Sequence, residues 1–129
     1  MFVDASALCA ILFEEEDARD LISRIEAAER RFTSPIAIYE TVLAVTRMHD
    51  RSPADAESKV RAFLRRAGIS VEAIGDGATT PALDAHARFG KGRHPARLNL
   101  GDCFAYAMAK QHGVPILYKG DDFAQTDLA

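Results

Sequence analysis

Short apolar segments alternate with longer stretches of helical periodicity along this chain. The apolar segments cover residues 1–4, 31–33, 69–74 and 114–118, and the helical stretches lie between them. Parallel strands need a crossover connection, usually a helix, so this alternation predicts a parallel sheet flanked by helices on both faces. The length of 129 residues fits a single α/β domain that spans the whole chain, 1–129.

Local signals place the helices within this plan. Ser34-Pro35 and Ser52-Pro53 each combine an N-cap residue with proline at the first helical position. They predict helices that run to about Met48 and to Gly68, where glycine favours a helix end. Near the start of the chain, Ser6 could begin one helix, and an amphipathic helix is predicted over about 15–30 with the acidic run 14–17 as its charged first turn. Further helices are predicted from Thr80 and over 101–112. A loop is predicted over 90–99, and a turn or helix follows the last strand.

Composition and motif content exclude several classes of protein. No run of 18 or more uncharged apolar residues is present, and the first residues lack the basic segment of a signal peptide, so we expect no membrane span. Walker A, G-x-G-x-x-G and G-x-S-x-G sequences are absent, and the histidines lack metal-ligand spacing. Cys9 and Cys103 lie far apart in apolar stretches, which predicts reduced core thiols and a cytoplasmic protein.

Several acids stand where a solvated surface does not explain them. Asp4 directly follows an apolar strand, and Asp121 and Asp122 follow the last strand. Glu40 has apolar residues one turn before and one turn after it, and Asp102 opens an otherwise apolar helix. Ligands of open parallel sheets bind beyond the carboxyl ends of the strands, so these acids should meet at one edge of the sheet.

Each of these acids also has a purely structural interpretation. Asp4 could cap the next helix, Glu40 could pair with Arg47, and Asp102 could interact with the helix dipole. Asp121 and Asp122 could be ordinary turn residues. The joint occurrence is more informative, because carboxylates held together repel one another and a divalent cation relieves the repulsion.

The ligand chemistry of such an edge is that of a hard cation. Oxygen ligands without a histidine or cysteine set suit Mg²⁺ or Mn²⁺ rather than zinc. A net charge of −3 is not typical of a nucleic-acid-binding protein, but it is compatible with a nuclease whose active site is itself acidic. Such a site can activate water and neutralise charge on a phosphodiester.

Four segments, in order, resemble the motifs of PIN-domain proteins. MFVDASALCAIL resembles their first motif, SPIAIYETVLAV the second, and LNLGDCFAYAMAK the third. PILYKGDDFAQTDL resembles the closing segment of VapC-type toxins. The resemblance spans essentially the whole chain and implies a three-layer PIN fold with Mg²⁺- or Mn²⁺-dependent endoribonuclease activity.

The resemblance also implies partners and residue roles. It implies the toxin of a type II toxin–antitoxin (VapBC-type) pair, neutralised by a VapB-type antitoxin, and homodimers that pair again in that complex. Asp4 and Asp102 would be the principal metal ligands, with Glu40 as the third acid, binding metal or orienting water. Asp121 is the fourth match, although Asp122 could take that role, and Ser6 matches a hydroxyl residue that supports the first acid.

A basic loop precedes the third motif. Lys91, Arg93 and Arg97 could contact RNA phosphates without reading sequence, or the loop could be merely solvated.

A phosphorelay receiver is disfavoured, because a single acid follows the first strand where receivers carry two. A non-catalytic PIN domain that binds RNA or a partner through the same groove is the remaining alternative.

Overall fold

A computed structural model describes all 129 residues. The strands are β1 (Phe2–Val3), β2 (Phe32–Thr33), β3 (Ser70–Val71) and β4 (Ile116–Leu117). The helices are α1 (Ala5–Leu12), α2 (Ala18–Ala27), α3 (Pro35–His49), α4 (Pro53–Arg66), α5 (Thr79–Phe89) and α6 (Leu100–His112), with 3₁₀ turns at Asp76–Ala78 and Phe123–Gln125.

The four strands form one parallel sheet in the order β3-β2-β1-β4. In the central strand, Phe2 lies opposite Phe32 of β2 and Ile116 of β4. The predicted α/β architecture is confirmed. The carboxyl end of β1, which Asp4 follows, lies between neighbouring strands on both sides.

Alternation along β1 divides the core into two parts. Phe2 faces a cluster formed mainly with α5 and α6, whereas Val3 faces a cluster formed mainly with helices α1 to α4. Both side chains are fully buried, because successive strand residues point to opposite faces and both faces carry helices. Helices therefore cover both faces of the sheet, as the three-layer prediction requires.

The proline-marked helix starts are confirmed. The Ser34 hydroxyl accepts a hydrogen bond from the Ala37 N–H at 3.1 Å, and proline follows it at the first helical position. The Ser52 hydroxyl caps α4 in the same way. Gly68 follows the C-cap of α4 with φ +66°, a left-handed conformation that glycine adopts without steric cost.

Two predicted helix starts are wrong in detail. The N-cap of α1 is Asp4 rather than Ser6, which lies inside the first turn. The acidic run 14–17 is not the first turn of α2, because α2 begins at Ala18 and Glu14 adopts φ +53° in the connection. The run therefore forms the link between α1 and α2.

The predicted strands at 69–74 and 114–118 are too long. Only Ser70–Val71 and Ile116–Leu117 pair with a neighbour, since β1 and β2 are themselves two residues long and offer no further partners.

Both cysteines are free thiols; Cys103 is buried and Cys9 only partly so. None of the helices combines the length and the apolar content that a membrane crossing requires.

Candidate functional site

Asp4 lies at the carboxyl end of β1 with only 4% of its surface exposed. Its Oδ2 accepts hydrogen bonds from the Ser6 N–H at 3.0 Å and from the Ser6 hydroxyl at 2.6 Å. Burial raises its pKa despite these bonds, and the charge of Asp122 raises it further. Asp4 is thus both the α1 cap and a buried acid, so the two interpretations offered for it hold together.

Glu40 approaches the first turn of α6 from α3. A methyl group added at Gly101 would overlap both carboxylate oxygens of Glu40, so the missing side chain is what admits the acid. Burial, and secondly the charge of Asp4, raises the Glu40 pKa. The alternative pairing with Arg47 is not formed, and Glu40 makes no ion pair with any residue.

Asp102 lies in the first turn of α6 and takes part in a capping box. Its Oδ2 accepts the Asn99 N–H at 3.0 Å, while the Asn99 side chain accepts the Asp102 N–H at 2.9 Å. Burial is the main reason that its pKa rises to about 7, and the charges of Asp4, Asp122 and Glu40 add to it. The structural role predicted for Asp102 therefore coexists with a strongly perturbed acid.

Asp121 and Asp122 are both exposed, but they differ in their relation to the other acids. The charge of Asp122 is one of the main causes that raise the pKa of Asp4 and of Asp102, and Asp121 is not among the main causes of either shift. Gly120, with φ +98°, turns the chain just before this pair. We call Asp4, Glu40, Asp102 and Asp122 the acidic edge, and residues 119–122 the closing turn.

The acidic edge has no internal cation. No lysine, arginine or histidine forms an ion pair with any of its four members. Buried carboxylates that raise one another's pKa without a positive partner are electrostatically unfavourable. Their concentration at one edge of the sheet is a physical sign of a functional site.

The donor set suits Mg²⁺ or Mn²⁺, although no ligand cage is complete. All of the available donors are carboxylate oxygens, the ligands that these ions prefer. No three histidine, cysteine, aspartate or glutamate side chains lie close enough together to hold a metal ion by themselves. A cation at this edge would draw the carboxylates closer and complete its shell with water, as Mg²⁺ commonly does.

The basic loop, residues 90–99, leads directly into the first turn of α6. Lys91, Arg93 and Arg97 are exposed and form no ion pairs. A parallel bridge between Gly90 and Leu98 closes the loop at its base. The loop ends at Asn99, the capping partner of Asp102, so the predicted RNA-contacting residues are joined to the site through that cap.

Sequence reasoning missed two residues of this region. Asn99 was treated only as part of a loop, although an N-cap residue three positions before an acid is the signature of a capping box. Lys119 is not among the predicted site residues, yet its backbone N–H donates to the Ser6 hydroxyl at 3.0 Å. No local sequence signal would have found that contact.

Comparison with known sequences agrees with the fold and the motifs. The PIN domain family model matches residues 1–128. A VapC ribonuclease of Rhizobium meliloti is 43% identical over 139 residues, which covers 98% of each chain. Ribonuclease VapC30 of Mycobacterium tuberculosis is 38% identical over 129 residues, which covers 100% of this chain and 96% of the relative.

Two solved structures share the architecture. The crystal structure of Mycobacterium tuberculosis VapC20, described as a sarcin–ricin loop cleaving toxin, aligns with a TM-score of 0.75 at 16% identity, covering 99% of this chain and 95% of that one. A toxin–antitoxin complex from Klebsiella pneumoniae aligns with a TM-score of 0.69 at 19% identity, covering 98% and 92%. These likenesses concern the fold, while the family match confirms the resemblance seen in the motifs. The chain belongs to the PIN domain family, and its relatives in sequence are VapC ribonucleases.

Proposed function

We propose that this protein is a metal-dependent endoribonuclease and the toxin of a type II toxin–antitoxin pair. The observation that carries the proposal is the acidic edge, where Asp4, Glu40 and Asp102 are held together with raised pKa values and no cationic partner. The full-length similarity to VapC ribonucleases supports it independently.

Each acid has a proposed role that follows from its surroundings. Asp4 and Asp102 are fixed by hydrogen bonds to Ser6 and to Asn99, so they are suited to be the principal metal ligands. The Glu40 carboxylate makes no hydrogen bond and has a raised pKa, which suits a group that binds metal or accepts a proton from the attacking water. We assign the fourth position to Asp122 rather than Asp121, because its charge acts on both Asp4 and Asp102.

A bound Mg²⁺ or Mn²⁺ would supply water activation and charge neutralisation on the phosphodiester. The protein's own contribution is to hold the carboxylates in place before substrate arrives. Ser6 orients Asp4 through its hydroxyl, and the absence of a side chain at Gly101 lets Glu40 reach α6. Lys91, Arg93 and Arg97 of the basic loop would bind RNA phosphates and deliver the backbone to this edge.

The proposed partner is a cognate VapB-type antitoxin. The solved structure with TM-score 0.69 is itself described as a toxin–antitoxin complex. An arginine or lysine of the antitoxin that pairs with the acidic edge would offset its repulsion and block it, since charge-assisted bonds to carboxylates are strong. We also propose that the toxin forms homodimers, which light scattering of the purified chain would reveal.

The decisive experiment is cleavage of total cellular RNA by antitoxin-free protein in Mg²⁺, Mn²⁺ or EDTA. We expect discrete fragments that require metal and disappear in Asp102→Asn. The matched control is Asp20→Asn, which removes an exposed acid of α2 that forms no ion pair. Cleavage that survives in Asp102→Asn would refute the site.

The same assay tests the non-catalytic alternative. A folded, inhibitor-free protein that binds Mn²⁺ and RNA but cleaves nothing would favour a binding role. The salt dependence of RNA binding tests the basic loop separately. The slope of log K against log salt is negative, and neutralising one phosphate-contacting charge should make it less steep by about 0.7 for single strands. Arg93→Gln and Arg97→Gln should each produce such a change.

A further inference from the structure

Lys119 makes both a backbone and a side-chain contact across the sheet edge. Its N–H donates to the Ser6 hydroxyl at 3.0 Å, and that hydroxyl in turn donates to Asp4 at 2.6 Å. Its ammonium group pairs with Glu15 at 2.5 Å and with Asp17 at 3.1 Å. One residue of the closing turn is thus attached to the support of Asp4 and to the α1–α2 link.

The two carboxylates that pair with Lys119 belong to the acidic run. Glu14 adopts φ +53° at the beginning of this link, which directs the chain away from the end of α1. The Glu15 N–H donates to the Ala10 carbonyl at 2.9 Å, so the link is fastened to α1 as well. The acids therefore have a fixed backbone position, and they hold the lysine from outside the acidic edge.

Two residues, Gly120 and Asp121, separate Lys119 from the proposed fourth acid, Asp122. Gly120 turns the chain with φ +98°, and exposed Asp122 follows two residues later. Between Lys119 and the 3₁₀ turn at Phe123, no side chain of the closing turn makes a hydrogen bond or an ion pair. The backbone of the closing turn is thus anchored at its two ends, by the contacts of Lys119 and by the buried Phe123.

We infer that Glu15 and Asp17 clamp Lys119 so that the closing turn presents Asp122 to the acidic edge. The Lys119 side chain is a positioning group in this arrangement and acts through Asp122. The inference rests on the proposed function in one respect, namely that Asp122 assists cation binding. It explains why a lysine close to the acidic edge pairs with two acids outside it and with none of the acids within it.

The clamp makes a prediction opposite in sign to that of simple electrostatics. Lys119 is a positive charge near a cation site, so removing it should strengthen Mn²⁺ binding if only long-range charge mattered. If Lys119 positions Asp122, its removal weakens Mn²⁺ binding. Groups that orient metal ligands commonly change metal affinity by about 10–100-fold.

The test is the Mn²⁺ affinity of Lys119→Met, measured by electron paramagnetic resonance of free Mn²⁺. We expect the dissociation constant to rise about tenfold. The matched control is Lys110→Met, because Lys110 forms a similar ion pair with Asp127 at 2.7 Å and its side chain is 40% exposed, compared with 38% for Lys119. The control should leave Mn²⁺ affinity unchanged, whereas tighter or equal binding in Lys119→Met would overturn the clamp.

Two further variants separate positioning from a general loss of structure. Lys119→Arg keeps the charge and the reach, so it should restore most of the Mn²⁺ affinity. In an Asp122→Asn background, Lys119→Met should have little further effect, because the residue through which it acts has already been neutralised. Full additivity of the two changes would contradict the inference.

A metal-free measurement distinguishes failure of the clamp from failure of the proposed function. Hydrogen exchange of peptides that cover residues 117–123 should be faster in Lys119→Met than in the unchanged protein, and Lys110→Met should not accelerate it. If the unchanged protein binds no Mn²⁺, the metal-dependent function fails while exchange still decides the clamp. Equal exchange in the Lys119→Met variant and the unchanged protein refutes the clamp.

Discussion

Two groups of acidic side chains in this molecule have opposite environments. At the acidic edge, Asp4 is buried and Asp102 partly buried near other carboxylates, and their pKa values are raised. At the far end of α6, Asp127 accepts hydrogen bonds from the Lys110 ammonium at 2.7 Å and the Tyr106 hydroxyl at 2.9 Å. Partial burial opposes its ionisation, but these bonds outweigh burial and lower its pKa.

The difference distinguishes an acid with a structural role from the acids of the candidate site. Asp127 has its charge balanced within the chain by Lys110 and Arg88, so it fastens the C-terminal segment to α5 and α6. The acidic edge has no such balance, and only a ligand or a proton can provide it. Whether a carboxylate has a cationic partner in the same chain is therefore more informative about its role than whether it is an aspartate or a glutamate.

The largest expected effect comes from neutralising an acid of the edge while keeping its structural role. Asn caps helices about as well as Asp, so Asp4→Asn should preserve α1. We expect RNA cleavage to fall at least about 100-fold, in line with the loss of an essential charged group. The thermal midpoint of the metal-free protein should stay equal or rise, and cleavage near the original rate would show that Asp4 is only a cap.

Gly101→Ala should separate stability from function. Alanine favours helix by up to about 1 kcal/mol, and Glu40 can swing aside because its carboxylate is the end of a flexible side chain. We therefore expect an unchanged or higher thermal midpoint together with Mn²⁺ binding weakened about tenfold. In a Glu40→Ala background, Gly101→Ala should weaken Mn²⁺ binding no further. A large additional loss would mean that Gly101 does not act by leaving space for Glu40.

The pH dependence of stability should show the raised pKa of Asp102. Its pKa is about 7 in the folded chain against 3.8 ordinarily, so between these values the folded state retains a proton that the unfolded state has released. The stability of the metal-free protein should therefore fall as pH rises from about 4 to 7, by at most roughly 1 kcal/mol per pH unit. Asp102→Asn should flatten this slope in denaturant titrations, and an unchanged slope would contradict the assignment.

The smallest effect should come from Asp127→Asn. Its ion pairs are half exposed, and such pairs contribute less than about 1 kcal/mol. We expect a slightly lower thermal midpoint at neutral pH and unchanged RNA cleavage. Because the folded pKa of Asp127 is lowered, its contribution should disappear below about pH 4. A loss of cleavage in this variant would remove the contrast between the two groups.

Local patterns predicted much of the fold and of the site. The position of Glu40 beside the core follows from its apolar neighbours one turn away, since a helix face is a property of nearby residues. Ser34 and Ser52 mark helix starts for the same reason. The strands were predicted too long because pairing length depends on neighbouring strands, which are distant in sequence.

Other features depend on contacts that sequence does not display. Asp121 and Asp122 are adjacent and both exposed, and only the path of the chain through Gly120 distinguishes their relation to Asp4. The pairing of Lys119 with Glu15 joins residues that are 104 positions apart. Such pairs need the tertiary fold, because no periodicity connects them.

The attachment of Asp4 to β4 has a consequence for synthesis of the chain. Asp4 is synthesised well before Leu117, whose backbone carbonyl accepts a hydrogen bond from the Asp4 N–H at 3.0 Å. A growing polypeptide therefore contains Asp4 before it contains β4, the strand that fixes it. If the protein cleaves RNA, chains that stop before β4 would lack this attachment of Asp4 and should be inactive.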